Sequence, residues 1–160
     1  MKEVKIQTTL YEYKSIEETP QDIQDLMSHA VNARNKAYAP YSKFTVGTAL
    51  LLDNGEIVIG SNQENASYPS GLCAERTAIF YKGAKYPEAR ILKMAIIAGS
   101  KTHKTNSPIP PCGACRQSIA EYEVSQKYPI EIYFMGEEGK VMKSNSLANL
   151  LPLVFDKSEL

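Results

Sequence analysis

The sequence predicts one α/β domain in which a five-stranded mixed sheet lies between two layers of helices, a three-layer α/β/α sandwich. Helical and strand-like segments follow one another in the order α-β-β-α-β-α-β-β-α, which favours a sheet covered on both faces. The turn from Gly136 to Gly139 is too short for a helical crossover, so the last two strands should be antiparallel. A length of 160 residues suits one domain with a sizeable core and is too short for two.

The first helix is predicted from residue 19 onward. Thr19 is placed as its N-cap and Pro20 in its first turn. Apolar side chains recur at helical spacing from Ile23 to Tyr38, and Pro40 should end the helix. Residues 4–13 alternate only in part and fit either a short strand or an arm. We therefore treat residues 1–18 as an N-terminal extension without an assigned role and residues 19–160 as the domain.

Local patterns predict the remaining elements. Alternation on both sides of the Asp53-Asn54-Gly55 turn predicts a hairpin, and the apolar run at residues 94–98 predicts a strand covered on both faces. Helices should open at Cys73 and at Cys112, and residues 130–135 and 141–143 should form the last two strands. A short helix near residues 147–151 should end at Pro152.

Charge and cysteine usage exclude several classes of protein. The chain has 18 Lys plus Arg and 18 Asp plus Glu, so it lacks the excess of positive charge that binding to nucleic acid or anionic lipid requires. Three cysteines, an odd number, without a signal peptide or a long apolar run argue against a disulfide-linked secreted protein or a membrane protein. We expect a cytoplasmic protein with no nucleic-acid or membrane partner.

The three cysteines lie in two short motifs, Cys73-Ala74-Glu75 and Pro111-Cys112-Gly113-Ala114-Cys115, and each motif opens a predicted helix. Residues three apart share a helix face, so Cys112 and Cys115 can bind one ion together. With Cys73 as the third ligand, a tetrahedral Zn²⁺ keeps one open position, which is typical of a catalytic site. Helix N-termini also favour thiolate over thiol.

Glu75 and Arg76 are the charged residues next to this predicted metal site. Glu75 follows a ligand by two residues, which suits it to act as general acid and base. A ligand-x-Glu motif paired with Pro-Cys-x-x-Cys is the signature of the zinc deaminases. Arg76 lies three residues from Cys73 and is expected to donate hydrogen bonds to thiolate sulfur; the alternative is an ordinary surface arginine. A dithiol redox pair at Cys112 and Cys115 is the alternative for the cysteines.

Five stretches together resemble the cytidine deaminase family, and specifically its small, three-cysteine, homotetrameric branch. They are residues 40–47 (PYSKFTVG), 62–68 (NQENASY), 73–79 (CAERTAI) and 111–117 (PCGACRQ), and finally Leu150-Leu151-Pro152 with Phe155. The resemblance implies a cytidine deaminase-like fold and one Zn²⁺ per chain. It implies hydrolytic deamination of cytidine and 2′-deoxycytidine to uridine and 2′-deoxyuridine, with release of ammonia.

The same resemblance implies roles for residues around the metal. Asn62 and Glu64 would hydrogen-bond the ribose, with Glu64 on its 3′-hydroxyl, and Phe44 would pack against the pyrimidine ring. The backbone N–H of Ala74 would donate to the pyrimidine O2. Ala66, Tyr68 and Phe155 resemble residues that, in this family, complete the pocket of a neighbouring subunit. The resemblance therefore implies a homotetramer with shared active sites.

Two departures from the family pattern and three other functions bear on this interpretation. Pro69-Ser70 intervenes before Gly71, and Leu153 and Val154 are bulkier than the small residues usual before Phe155. A blasticidin-S deaminase-like aminohydrolase would share the Cys-Ala-Glu motif, whereas a non-catalytic zinc-binding domain would have no need of Glu75. Enzymes that edit tRNA or single-stranded DNA generally use His as the first ligand and have parallel final strands. The cysteine at position 73 and the short turn at Gly136 to Gly139 therefore argue against this function.

Overall fold

A computed structural model of the protein describes residues 1–157, which form one six-stranded sheet with helices on both faces. The helices are α1 (Gln21–Arg34), α2 (Ala74–Lys85) and α3 (Gly113–Gln126). The strands are β1 (Tyr11–Tyr13), β2 (Phe44–Leu52), β3 (Ile57–Ser61), β4 (Ile91–Ser100), β5 (Glu131–Met135) and β6 (Val141–Ser144). Short 3₁₀ helices cover Ile16–Glu18, Tyr68–Ser70 and Leu147–Asn149.

The strands are arranged in the order β1-β6-β5-β4-β2-β3. β4 and β5 are parallel and are connected through α3, whereas every other neighbouring pair in this sheet is antiparallel. The α/β class, the β2–β3 hairpin and the antiparallel β5–β6 pair are therefore confirmed. Four residues, Asp53 to Glu56, connect β2 and β3, and Gly55 among them adopts φ +83°, a conformation that suits glycine.

The predicted number of five strands was wrong, because β1 adds a sixth. Tyr11 pairs with Lys143 and Tyr13 with Val141, so part of the N-terminal extension covers the edge of β6. Only three residues of the extension enter this pairing, which is why their partial alternation did not distinguish a strand from an arm. An edge strand paired in this way no longer offers its backbone groups to other chains.

Two apolar cores, one on each face of the sheet, hold the three layers together. Leu50 and Ile96 project toward α2 and α3, whereas Ala49, Ala95 and Ile97 project toward α1. This alternation follows from the period of two along a strand. β4 contributes to both cores, which confirms the prediction that its continuous apolar run is covered on both faces.

Two glycines let helices approach the sheet closely. A Cβ at Gly47 would collide with the Ala30 carbonyl and with Arg34 of α1. A Cβ at Gly60 would lie 2.5 Å from the Ala74 carbonyl oxygen in the first turn of α2. Gly60 therefore allows the N-terminus of α2, with the residues that follow Cys73, to rest directly on β3.

The predicted ends of the first and last helices were wrong. Thr19 is not an N-cap: its hydroxyl donates to the Ile16 carbonyl at 2.6 Å, and Pro20 occupies the N-cap position. α1 ends at Arg34, because the chain turns so that the Tyr38 N–H donates to the Asn62 carbonyl at 3.0 Å. The last predicted helix is the 3₁₀ turn Leu147–Asn149.

No helix in the described part of the chain is long and apolar enough to cross a membrane.

Candidate metal centre and active site

The N-termini of α2 and α3 bring the three cysteines together. Cys73 is the N-cap of α2, Cys112 is the N-cap of α3, and Cys115 lies in the first turn of α3. The Cys73 and Cys112 Sγ atoms are 3.7 Å apart, and the Cys112 and Cys115 Sγ atoms are 3.5 Å apart. All three sulfur atoms lie within 4.8 Å of one another, and no disulfide links them.

This arrangement of sulfur atoms fits a zinc ion. Ligands arranged tetrahedrally about zinc, with Zn–S bonds of about 2.3 Å, lie about 3.8 Å from each other. The two shorter sulfur separations, 3.5 and 3.7 Å, are close to that value. Three thiolates also leave one of four tetrahedral positions open. Within residues 1–157 the cysteine triad is the one group of three or more His, Cys, Asp or Glu side chains spaced to hold a metal.

The cysteines share protons unequally without a metal. Hydrogen bonding from Cys115, together with hydrogen bonds from Cys112 and Arg76, lowers the pKa of Cys73 to about 5 despite its partial burial. Its hydrogen bond to Cys73 and its own burial raise the pKa of Cys115. These hydrogen bonds thus favour negative charge on the Cys73 sulfur. Metal binding to all three sulfurs must displace the remaining protons.

Glu75 is the titratable carboxyl group beside the sulfur atoms. Its side chain is buried, with 4 % of the residue exposed, and it lines the same cavity as Cys73 and Cys112. Burial raises the pKa of Glu75 to about 7, an effect to which the negative charge of Cys73 adds. A carboxyl group with such a pKa can both accept and donate a proton near neutral pH.

Arg76 is half-buried and points its charge at the cysteines, so it is not an ordinary surface arginine. Burial opposes that charge, but hydrogen bonding to Cys73 and the charges of the three cysteines raise the pKa of Arg76 overall. Its Nε is buried and has no hydrogen-bond partner among residues 1–157. The guanidinium therefore offsets part of the negative charge that three thiolates would bring.

A cavity of about 450 Å³ opens from the sulfur atoms toward the surface, a size typical of small-molecule sites. Cys73, Cys112, Glu75 and Arg76 line the end of the cavity that holds the cysteines, here called the inner end, where Glu75 is buried and Cys112 is exposed. Its walls are mainly apolar and include Phe44, Val46, Leu72, Ile96, Ala98 and Ile109. The outer part carries polar groups, among them Asn62, Glu64 and Tyr68. The cavity thus has a mainly apolar wall and a polar rim, and the carboxyl group of Glu75 lies at its inner end.

Asn62 and Glu64 both line the cavity. Hydrogen bonds to β2 fix the side chain of Asn62, and hydrogen bonds to residues 41–42, just before β2, fix that of Glu64. Asn62 accepts a hydrogen bond from the Val46 N–H at 2.8 Å and donates one to the Phe44 carbonyl at 2.9 Å. One of its two amide hydrogens is left for a ligand. Glu64 accepts from the Tyr41 N–H at 2.9 Å and from the Ser42 hydroxyl.

These bonds keep Glu64 ionised. Hydrogen bonding to Ser42, and to the backbone of Tyr41, lowers the pKa of Glu64. A carboxylate oxygen can accept two hydrogen bonds. Oε2 of Glu64 accepts from the Tyr41 and Ser42 N–H groups, whereas Oε1 accepts one, from the Ser42 hydroxyl, so Oε1 can still accept from a hydroxyl group of a ligand.

Ala74, Ala66 and Phe155 do not line this cavity. Ala74 is fully buried between two lining residues, and its N–H lies in the first turn of α2, where no intrahelical acceptor exists. Ala66 is exposed, and Phe155 is 59 % exposed with its carbonyl accepting from Gln117 Nε2 at 2.8 Å. Tyr68 lines the rim but is 84 % exposed.

Several cavity residues were not predicted from the sequence. Ile96 and Ala98 belong to the apolar run that was assigned to the core, and periodicity does not separate a core wall from a cavity wall. Ile109 and Pro110 sit in a loop without periodicity. Their position just before Cys112 is the one feature of the sequence that points to them.

Comparisons with known proteins identify the same region. The family described as "Cytidine and deoxycytidylate deaminase zinc-binding region" matches residues 20–130. The chain is 39% identical over 141 residues to a cytidine deaminase of Halalkalibacterium halodurans, covering 87% of this chain and 98% of the relative. It is 40% identical over 139 residues to a cytidine deaminase of Sporosarcina psychrophila, covering 87% of this chain and 95% of the relative.

Solved structures of cytidine deaminases are also similar to this chain. The crystal structure of cytidine deaminase from Burkholderia pseudomallei superposes with a TM-score of 0.70 at 40% identity, covering 82% of this chain and 98% of that chain. That of cytidine deaminase from Mycobacterium tuberculosis superposes with a TM-score of 0.65 at 30% identity, covering 86% of this chain and 99% of that chain.

Proposed function

Because the chain belongs to the cytidine and deoxycytidylate deaminase family, we propose that it hydrolyses cytidine and 2′-deoxycytidine to uridine and 2′-deoxyuridine, releasing ammonia. The observation that carries this function is the buried Glu75 beside three cysteine sulfurs, at the inner end of a cavity of about 450 Å³. The zinc-binding family and the sulfur spacing support one Zn²⁺ per chain, and in this proposal Cys73, Cys112 and Cys115 hold it.

Glu75 moves protons in this proposal. When bound, zinc supplies a Lewis acid that activates water for attack on C4 of the pyrimidine. Glu75 accepts a proton from the attacking water and delivers it to N3. Glu75 then takes the proton of the new C4 hydroxyl group and passes it to the amino group, which leaves as ammonia while C4 becomes a carbonyl, so that one water is consumed for each ammonia released. A pKa of about 7 allows Glu75 to serve in both directions.

The remaining cavity residues bind and orient the nucleoside. The free amide hydrogen of Asn62 donates to a ribose hydroxyl group, and the carboxylate of Glu64 accepts from the 3′-hydroxyl. Phe44 packs against the pyrimidine ring, in a wall that is otherwise aliphatic. The Ala74 N–H donates to the pyrimidine O2, a role supported by its place between the two lining residues Cys73 and Glu75. Arg76 offsets the charge of the thiolates.

We further propose that four copies assemble with shared active sites. Three large aromatic side chains are exposed: Tyr68 at the cavity rim (84 %), Phe155 in the C-terminal tail (59 %) and Tyr81 on α2 (52 %). A second copy bearing the same aromatic groups would cover them and complete the cavity rim with Ala66, Tyr68 and Phe155. Sedimentation velocity tests this assembly, and a stable monomer with full activity would contradict it.

The catalytic domain in this proposal comprises residues 19–160, with β1 of the extension added to its sheet edge. The metal centre needs three reduced cysteines, which fits a reducing compartment such as the cytoplasm.

The decisive experiment measures ammonia release from cytidine, 2′-deoxycytidine, cytosine and blasticidin S, while zinc per chain is quantified in the same preparation. We expect one zinc per chain, turnover of both nucleosides and poor turnover of cytosine, which lacks the ribose. Preferred turnover of blasticidin S would identify a different aminohydrolase. Zinc-loaded protein that deaminates none of these compounds would identify a non-catalytic zinc domain.

A further inference from the structure

The segment Asn106–Pro111, which leads into Cys112, is held by very few backbone hydrogen bonds. Three of its six residues are prolines, which have no N–H to donate. Within residues 1–157, a single hydrogen bond reaches its backbone: the Pro111 carbonyl accepts from Arg116 Nε at 2.9 Å. The same segment contributes Ile109 and Pro110 to the cavity wall. One side chain therefore fixes the approach to a cysteine of the metal site.

The Arg116 guanidinium makes a second hydrogen bond on the far side. Its NH1 group donates to the Leu150 carbonyl at 2.8 Å, at the point where the chain leaves the last 3₁₀ turn for the C-terminal tail. No carboxylate lies within ion-pair distance of Arg116 among the described residues. The side chain thus acts through directed hydrogen bonds to two carbonyl groups rather than through an ion pair.

Arg116 also follows Cys115 directly in α3. Its position is fixed by the helix that carries Cys115, and its guanidinium fixes the residue that precedes Cys112. The planar guanidinium donates in two directions at once, which a lysine ammonium on a flexible stem reproduces poorly. Groups that orient metal ligands from outside typically contribute roughly 10–100-fold to metal affinity.

We propose that Arg116 is a positioning residue for the metal centre and for the cavity wall. Its hydrogen bond to the Pro111 carbonyl fixes the position of Cys112, Ile109 and Pro110 relative to α3. Its hydrogen bond to the Leu150 carbonyl connects this loop to the start of the C-terminal tail. The cavity-wall part of this inference rests on the proposed deaminase function, whereas the metal part does not.

The test compares Arg116→Met and Arg116→Lys with Arg90→Met. Arg90 is an arginine outside the cavity that bonds Asp53, so its loss controls for removing one guanidinium. Zinc affinity is measured by competition with a chelator, and the geometry of the site by the absorption spectrum of the Co²⁺-substituted protein. Steady-state kinetics on cytidine at saturating zinc then separate kcat from KM.

For Arg116→Met we expect zinc affinity to fall roughly 10–100-fold, the Co²⁺ spectrum to change and KM to rise more than kcat falls. Arg116→Lys should lie between this variant and the unaltered protein, and Arg90→Met should match the unaltered protein. If Arg116→Met does not fold, the zinc affinity and the Co²⁺ spectrum of Arg116→Lys alone test the proposal. Unaltered zinc affinity and Co²⁺ spectrum in a folded Arg116 variant would overturn the proposal, even if its Tm falls. If the unaltered, zinc-loaded protein has no deaminase activity but Arg116→Met still weakens zinc binding, the metal part is supported and the proposed function is refuted.

Discussion

The two ends of the cavity differ in how completely one chain builds them. At the inner end, Cys73, Cys112 and Cys115 lie within 4.8 Å of one another, and Glu75 is buried beside them. At the outer end, Tyr68 is 84 % exposed. The groups proposed for bond making are therefore in place within one chain, whereas those proposed to enclose the substrate are exposed and, in our proposal, are completed by a neighbouring chain.

The largest effect is expected from removing a sulfur at the inner end. Cys115→Ser replaces a thiolate by a hydroxyl that binds zinc weakly, and two remaining sulfurs cannot hold the ion in a tetrahedral site. We expect zinc content to fall from one per chain toward zero and deaminase activity to be lost with it, measured by metal analysis and ammonia release. Ser118→Ala in the same helix is the control. A Cys115→Ser protein that keeps a full complement of zinc would show that the inner end is not the metal site.

Glu75→Gln separates proton transfer from metal binding. The amide has nearly the same shape as the carboxyl group but cannot exchange protons, so we expect kcat to fall by about 10²–10⁴ while zinc content is unchanged. Both quantities are measured on one preparation, beside Glu88→Gln, an exposed carboxylate outside the cavity. Turnover at the unaltered rate in zinc-loaded Glu75→Gln would remove Glu75 from the mechanism.

Glu64→Gln tests the rim within one chain. The substitution removes a charged acceptor for a ribose hydroxyl, and hydrogen bonds to charged groups contribute roughly 1.5–3 kcal/mol. We expect KM for cytidine to rise about 10–100-fold with a smaller change in kcat. Glu56→Gln, whose carboxylate accepts from the Tyr86 hydroxyl outside the cavity, is the matched control. Equal KM values in the two variants would exclude Glu64 from substrate binding.

Phe155→Ala should have the smallest effect and tests the part of the rim assigned to a neighbouring chain. An aromatic contact contributes about 0.5–1.5 kcal/mol beyond its buried area, so KM should rise roughly 2- to 12-fold. Leu153→Ala in the same tail is the control, because that side chain is 78 % exposed and has no proposed contact with substrate. The kinetics are run at protein concentrations where sedimentation shows the assembled form. If both alanine variants match the unaltered protein there, the shared rim is refuted.

The inner end could be predicted from the sequence because its parts are local. Each cysteine motif is short, and a helix start dictates where its residues point, so Cys112 and Cys115 share a face whatever the rest of the chain does. The pairing of the two motifs follows from there being three cysteines in the chain. The β2–β3 hairpin and the antiparallel β5–β6 pair were equally local, since turn length alone decided them.

Contacts between distant segments decided the rest. The sequence did not reveal that Tyr11–Tyr13 joins β6, or that α1 stops at Arg34 so that Tyr38 pairs with Asn62. The family resemblance implied a substrate-binding role for Asn62, but the sequence did not reveal the hydrogen bonds that tie its amide to Phe44 and Val46.

The sequence alone was enough to predict the cysteine triad, the carboxyl group beside it and the layered α/β fold, because periodicity and short spacing act through neighbouring residues. Only the tertiary structure decided the sixth strand, the apolar cavity wall at Ile96 and Ile109, and the loop that Arg116 holds. These depend on which segments meet after folding, and apolar side chains with the same local pattern pack equally well into a core or around a cavity.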